Sequence, residues 1–241
     1  YQRAKMEDYG DFLFVVLPMF AVVDGQIDDQ QVSFVLRDNF LLSFREKDYG
    51  FFKRSVGDKI VSGSGNIRKK GEDFLLYSLL DTIIDNYYTS LQHVAQKIEL
   101  LEKHILTRPA DEHILSLRSL KSDVLYMRKC MLPARDLISN LMRNNVDYFE
   151  TENTYFLRDL QDHMTRNIEE LDFLRDQLTS LMDMYYSLQT HKMNVVMKTL
   201  TGVSFVLLPL TFIASLYGMN FKYMPGLDDK NGFWEVVAAM A

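Results

Sequence analysis

Apolar residues recur at steps of three and four between residues 157 and 188, in a segment that is otherwise polar. The ten positions of this stripe are Leu157, Leu160, Met164, Ile168, Leu171, Leu174, Leu178, Leu181, Tyr185 and Leu188. This spacing predicts an amphipathic helix that buries one face. No glycine or proline occurs between residues 151 and 201, so we expect the helix to begin with an N-cap at Thr151 or Asn153 and to continue to Tyr217. At 1.5 Å per residue it would be about 95 Å long, about three times the thickness of the bilayer hydrocarbon.

The last part of that helix changes from amphipathic to apolar. No charged residue occurs from residue 199 to residue 221, and Leu200 to Tyr217 is long enough to cross a bilayer. Pro209 is unfavourable in a soluble helix but is tolerated in a membrane helix, where neighbouring groups bond the freed carbonyl. Lys192 and Lys198 precede the segment, which predicts that the domain before it lies in the cytoplasm. The alternative is a buried helix of a soluble protein.

The end of the chain is apolar again. Phe233 and Trp234 are followed by Val236, Val237 and Ala238, a composition typical of an interfacial anchor and the start of a second span. Two spans joined by a short loop place both termini in the cytoplasm, so we expect a multi-pass protein of the cell membrane. The chain lacks an initiator methionine and stops within this apolar stretch. We therefore expect it to be part of a longer protein.

The first seventy residues differ from the rest in their glycine content. Seven of the eleven glycines lie at or before Gly71, and none lies between residues 72 and 201. β-Branched and aromatic residues predict three strands, with a hairpin turn at Arg37-Asp38-Asn39 between the last two. The predicted elements are strands over residues 12–23, 31–36 and 40–44, a short helix over 51–61 and a loop over 62–66.

The glycine-free middle of the chain predicts long helices. The first runs from Glu72 to Ile105. Pro109 is expected in the first turn of the second, which ends near Asn144 and Asn145, and Pro133 inside it predicts a kink or a break. The expected fold class is an α+β cytoplasmic domain followed by long helices and a transmembrane helix, mainly α. The expected divisions are an α/β part over 1–71, cytoplasmic helices over 72–198, a span over 199–217, an external loop over 218–232 and the start of a second span over 233–241.

Composition and charge exclude several functions. The formal net charge of −6 disfavours a nucleic-acid partner, because phosphate binding depends on an excess of Lys and Arg. Cys130 is the single cysteine, which excludes an intrachain disulfide and fits a reducing compartment. The sequence contains no nucleophile elbow, phosphate loop, His-Glu-x-x-His motif or cysteine pair. We therefore do not expect an enzyme.

One face of the predicted span carries small polar residues. The positions at steps of three and four are Asn194, Met197, Thr201, Ser204, Leu208, Thr211 and Ser215. Small hydroxyl side chains on a membrane helix are typical of close helix packing. They also occur in a pore lining, in which several copies of the stripe face a central water path. The spacing leaves both interpretations open.

The outer end of the span carries the motif Tyr217-Gly218-Met219-Asn220. Here the chain resembles the CorA family of magnesium transport proteins, whose signature is this tetrapeptide after the first membrane helix. Agreement extends to the flanking stretches 197–201, 208–214 and 221–225, and upstream to 31–34, 68–70, 75–79 and 158–159. The resemblance covers essentially the whole chain.

The resemblance implies a homopentamer in the lipid bilayer that conducts divalent cations inward, with Mg2+ passing as a hydrated ion. The first span lines the pore and the signature lies at the external mouth. The family pattern places Leu200, rather than its neighbour Thr201, in the lining. The implied pore-lining residues are Asn194, Met197, Leu200, Ser204, Leu208, Thr211 and Ser215, with Met197, Leu200 and Leu208 as apolar constrictions.

The implied entrance is a ring of Asn220 side chains. Mg2+ gives up its water reluctantly, and amide carbonyls accept hydrogen bonds from coordinated water without adding fixed charge. Gly218 is expected to allow a tight turn that directs Asn220 toward the pore axis. The alternative for Gly218 and Asn220 is an ordinary helix C-cap, where both residue types are favoured.

The resemblance also implies regulation by cytoplasmic Mg2+ through acidic residues between subunits. Asp159 and Asp183 fall at matching positions on the third helix, and the usual partner from the N-terminal domain lies before Tyr1. Empty carboxylates would repel one another, and a bound cation would join the subunits and favour the closed state. The alternative is a solvated helix face. His163, four residues after Asp159 on the same face, is a candidate ligand for a softer ion.

Ion selectivity is less constrained than the fold. Lys222 and Gly226 replace acids that the family often carries after the signature, unless Asp228 and Asp229 substitute for them. Met219 favours Mg2+ over the zinc-transporting branch, with Co2+, Ni2+ and Zn2+ as further candidate ions. The rival hypotheses are a zinc- or cobalt-transporting relative and a membrane-anchored coiled-coil scaffold without transport.

Overall fold

The computed structural model describes residues 3–143, 148–149, 153–222 and 230–240. The chain divides into two units, Tyr1–Tyr185 and Tyr186–Ala241. The first unit is an α+β domain with a sheet of four strands and three long helical segments, and the second is helical. The described chain is mostly helical, as predicted.

A four-stranded antiparallel meander opens the first unit. Its strands are β1 (Lys5–Asp8), β2 (Leu13–Val23), β3 (Gln26–Arg37) and β4 (Phe40–Arg45), paired in sequence order. The three predicted strands are confirmed, but β1 was missed because its four residues are mostly polar. β3 begins five residues earlier than predicted. The prediction missed this start because the acidic stretch there lowers strand propensity. Asp28 in that stretch forms an ion pair with Lys47, with 2.6 Å between Oδ2 and Nζ.

Two-residue turns join the long strands. Arg37 pairs with Phe40 across Asp38 and Asn39, and the φ angle of Asn39 is 71°. This confirms the predicted hairpin. Asp24 and Gly25, with φ angles of 49° and 72°, form the turn between β2 and β3, where a twisted hairpin requires left-handed residues.

The short helix predicted over residues 51–61 is present. It contains a π-helical turn at Lys53–Gly57, followed by α1 (Asp58–Ser62). The helix ends at Gly63, whose φ of 67° is left-handed, as is common at helix ends.

Four further helices follow: α2 (Glu72–Thr107), α3 (Asp111–Arg143), α4 (Thr154–Tyr217) and α5 (Gly232–Met240). Asn144 and Asn145, the predicted end of the second helix, and Thr151, one predicted N-cap, lie outside the described residues. Asn153 directly precedes α4, but its side-chain amide bonds Lys70 and Asp73.

Both proline predictions for α3 need correction. Pro109 precedes α3, which begins at Asp111, and does not lie in its first turn. The residue before a proline avoids the helical conformation. Arg108 accordingly has φ −154° and ψ 89°, so Pro109 ends α2. α3 continues through the buried Pro133, so the predicted break is absent, and the alternative of a kink stays a prediction. We attribute this continuity to packing of the ring, which offsets the missing backbone donor.

The core of the first unit lies where the sheet and helices meet. The Phe20 and Tyr87 rings are 5.3 Å apart, and the Tyr87 hydroxyl donates to the Pro18 carbonyl. The predicted stripe on α4 is confirmed: nine of its ten residues are buried, and Leu188 is half-buried. α4 therefore begins as part of a packed domain.

Candidate functional site

The predicted pore-lining residues all lie on α4. At 3.6 residues per turn they occupy an arc of about 120° of the helix surface. Ser204 is half-buried and the other six side chains are exposed: Asn194, Met197, Leu200, Leu208, Thr211 and Ser215. The Thr211 hydroxyl donates to the Leu207 carbonyl at 2.8 Å, so it is satisfied within its own helix. The stripe is therefore compatible with either a packed or a wet neighbour.

α4 is the one helix of the described residues that is long and apolar enough to cross a bilayer. None of its most apolar 18-residue window is buried within the chain. Phe205, Leu207 and Phe212 on this window are 79%, 54% and 67% exposed. A surface this apolar is not stable in water, so it requires lipid or another protein surface.

The signature follows directly from the end of the helix. α4 ends at Tyr217, and the Gly218 and Met219 amides donate to the carbonyls of Ala214 and Leu216 at 3.0 and 3.4 Å. Asn220 lies just beyond the last helical turn with an exposed side chain. The backbone thus ends the helix and projects the asparagine outside it.

The tight turn expected from Gly218 has a different origin. Its φ is not in the left-handed region, so Gly218 does not form a left-handed C-cap. A β-carbon at this position would lie 3.3 Å from the Ala214 carbonyl oxygen. A side chain at this position would therefore make a tight contact with the end of the helix, so the position favours a small residue.

A second candidate site lies in the first unit, between α2 and α4. His163 of α4 has Nδ1 3.5 Å from Asp81 Oδ1 and Nε2 3.6 Å from Asp159 Oδ1. Asp81, Asp85 and His163 each present a ligand atom within 4.8 Å of the others. We call Asp81, Asp85, Asp159 and His163 the acidic cluster.

The electrostatics of the acidic cluster disfavour an empty, fully charged state. Burial raises the pKa of Asp81, and the neighbouring Asp85 carboxylate raises it further, while His163 opposes both effects. Asp81 Oδ1 is buried and has no hydrogen-bond partner. Burial and the nearby carboxylates also raise the pKa of Tyr77. The carboxylates of Asp81 and Asp85 and the imidazole of His163 lie close enough together to hold one divalent cation, and carboxylate oxygens suit a hard ion.

The sequence prediction found only part of this cluster. Asp159 and His163 were predicted to share a face, but Asp81 and Asp85 were missed. The sequence feature that could have revealed Asp81 and Asp85 is their spacing, since they are four residues apart on one helix, beside Leu80 and Ile84. The structure does not bring Asp183 to this cluster: it lies on an exposed part of α4. Asp228 and Asp229 lie outside the described residues.

Comparisons with known proteins agree over the whole chain. Residues 1–241 match the family described as "CorA-like Mg2+ transporter protein". The cobalt/magnesium transport protein CorA of Thermotoga maritima is 38% identical over 100% of this chain and 69% of its own length. The CorA of Methanocaldococcus jannaschii is 28% identical over 98% of this chain and 74% of its length.

A solved structure supports the same assignment. The complete CorA magnesium transporter structure from Methanocaldococcus jannaschii superposes with a TM-score of 0.87 and 26% identity, covering 99% of this chain and 75% of that one. The fold, the terminal motif of α4 and the sequence similarity all lead to one conclusion: the chain belongs to the CorA-like Mg2+ transporter family.

Proposed function

We propose that this chain is a subunit of a membrane channel that conducts Mg2+ inward, with Co2+ as a second permeant ion. The observation that carries the proposal is the second part of α4, where an unburied apolar helix with one polar stripe ends at Tyr217-Gly218-Met219-Asn220. The relatives named as cobalt/magnesium transport proteins give the ion class. The family assignment favours transport over the alternative of a coiled-coil scaffold, because a scaffold does not require the motif at residues 217–220.

The proposed channel is a homopentamer. Five copies of the stripe surround a water-filled axis, and Met197, Leu200 and Leu208 form its apolar constrictions. The long helices of residues 72–198 lie in the cytoplasm, and α5 begins a second span. The family assignment favours the pore interpretation of the stripe over close helix packing.

The proposed entrance is a ring of five Asn220 side chains that binds the ion with its water. Each amide carbonyl accepts a hydrogen bond from a coordinated water, so the ion is held without the slow loss of its hydration shell. With Lys222 two residues later, attraction at the entrance rests on dipoles rather than on fixed negative charge.

The proposed regulatory site is the acidic cluster. A cytoplasmic Mg2+ ion relieves the repulsion among Asp81, Asp85 and Asp159, and a carboxylate of the neighbouring subunit completes its ligands. Binding then stabilises the closed channel, so rising internal Mg2+ reduces influx. His163 extends the site to softer ions such as Co2+, Ni2+ and Zn2+. Asp183, apart from this cluster, is a candidate for a separate regulatory contact.

The test is Mg2+ influx into liposomes that contain the full-length protein and an internal Mg2+ indicator. Asn220→Ala should abolish most of the flux, whereas Asn140→Ala, at an exposed position on α3, should leave it unchanged. Equal flux for the two variants contradicts the entrance assignment. Zn2+ flux exceeding Mg2+ flux in the same liposomes would instead identify a zinc-transporting relative, and no flux of any ion would favour the scaffold.

A further inference from the structure

α2 and α4 are joined by a series of polar and aromatic contacts within the first unit. In sequence order these are Asp73 with Asn153, Phe74 and Tyr77 with Phe156, Asp81 with His163, and Ile84 with Asn167. The numbers increase together on both helices, so the two helices run parallel here. Asp81, Asp159 and His163 of the acidic cluster lie between the first and last of these contacts, and Asp85 directly follows Ile84.

The contact before the cluster is a buried amide that is bonded through both its nitrogen and its oxygen. Asn153 is 2% exposed, its Nδ2 donates to Asp73 Oδ2 at 2.7 Å, and its Oδ1 accepts from Lys70 Nζ at 2.7 Å. Lys70 Nζ also lies 4.3 Å from the centre of the Phe156 ring. A buried hydrogen-bonded network of this kind is rigid. It fixes the start of α4 against the start of α2.

The contact after the cluster is a second buried amide. Asn167 is 4% exposed, and its Nδ2 donates to the main-chain carbonyl of Ile84 at 3.0 Å. Packing alone does not require an amide here, since Leu171 and Leu174 fill comparable positions on the same face of α4. Because this bond is made to main chain, it fixes the position of α2 itself rather than of one side chain.

The acidic cluster tends to separate the helices that these amides join. Asp81 and Asp85 belong to α2 and Asp159 to α4, and their like charges repel one another, although Asp85 and Asp159 are exposed. We infer that Asn153 and Asn167 are positioning residues, which hold α2 and α4 in register so that a divalent cation meets carboxylates already in place. This inference rests on the proposed cation binding at the acidic cluster.

Two properties separate positioning from a general structural role. A structural amide contributes to stability with and without the cation, and its loss leaves the cation affinity unchanged. A positioning amide lowers the cost of assembling the ligands, so its loss weakens cation binding as well. The concentration of Mg2+ that gives half-maximal protection from trypsin measures this affinity, and the melting temperature in EDTA measures the stability.

The experiment uses the full-length protein in detergent with Mg2+ as the probe. Asn167→Leu keeps the volume and removes the donor, and we expect it to raise the half-protecting Mg2+ concentration about fivefold, the equivalent of one hydrogen bond. Asn153→Ala should change it in the same direction. Asn140→Leu, at an exposed position on α3, is the matched control and should behave as wild type.

The outcomes are distinguishable. If both buried variants show the wild-type half-protecting concentration, the inference is overturned, whatever their melting temperatures in EDTA. If Asn167→Leu does not fold, Asn153→Ala decides alone. If Asp81→Asn is protected by the same Mg2+ concentration as wild type, the proposed cation site itself is wrong. That result is separate from any result at the two asparagines.

Discussion

The two halves of α4 differ in what covers their apolar residues. In Thr154–Tyr185 the apolar residues at steps of three and four form a narrow stripe that the rest of the first unit buries, as at Leu171, whereas Tyr155 and Phe173 outside the stripe are exposed. In residues 186–217 apolar residues occur all round the helix, and none of the central window is buried. One continuous helix therefore has two parts that need different surroundings. Its first half is held by protein packing, and its second half needs an apolar environment, either lipid or another protein surface.

The largest effect on folding is expected in the first half. Leu171 is 0% exposed, so Leu171→Ala should destabilise the first unit by about 2–5 kcal/mol through lost burial and the cavity left behind. Leu207→Ala, the same change in the second half, should leave this unit unaffected. Urea denaturation in detergent, followed by circular dichroism, measures both. Equal losses would show that the second half is also covered by protein.

A smaller effect is expected from pH in the presence of EDTA. Burial raises the pKa of Asp81 above its ordinary 3.8, so the folded chain binds this proton more tightly than the unfolded chain does. The resulting stability is present at low pH and is lost as the pH rises above the ordinary carboxyl range. As the pH rises above the ordinary carboxyl range, the melting temperature of the wild type should fall, and the melting temperature of Asp81→Asn should fall less. A parallel pH dependence in the two proteins would contradict this account.

The smallest effect on folding is expected from cysteines placed in the second half. Cys130→Ser removes the single native thiol, and Ser204→Cys or Phe205→Cys then adds one on different faces of the helix. In liposomes, a membrane-impermeant thiol reagent should modify the residue at 204, which faces water in the proposed pore, and spare the residue at 205. Modification of 205 alone would reverse the assignment of lipid and pore faces.

Most of the fold could be predicted from periodicity. The α4 stripe, the three strands and the absence of glycine and proline between residues 151 and 201 are local signals, and the structure confirms the elements that they predict. β1 was missed because pairing with β2, and not its own composition, makes Lys5–Asp8 a strand. The end of α2 at Thr107 depended on which helix Pro109 limits, and propensity alone does not decide that.

The candidate sites were predicted unequally for a physical reason. The pore stripe lies on one helix, so spacing along the sequence describes it. The acidic cluster brings Asp81 to His163 across 82 positions of the chain, and such proximity arises only when α2 and α4 pack. Asn153 was predicted as an N-cap, whereas its side chain bonds Asp73 and Lys70 of a distant segment. Contacts of this kind are not encoded by local spacing.

The crowding at Gly218 predicts which residues can replace it. Where a glycine has a left-handed backbone, asparagine is the next best residue, because it tolerates that conformation. Gly218 is not left-handed, and the Ala214 carbonyl limits the volume available. In a library randomised at this codon, alanine should therefore outperform asparagine, and β-branched residues should rank last. At this position of the signature, the size of the side chain is what limits substitution, and each added carbon atom is expected to reduce function further.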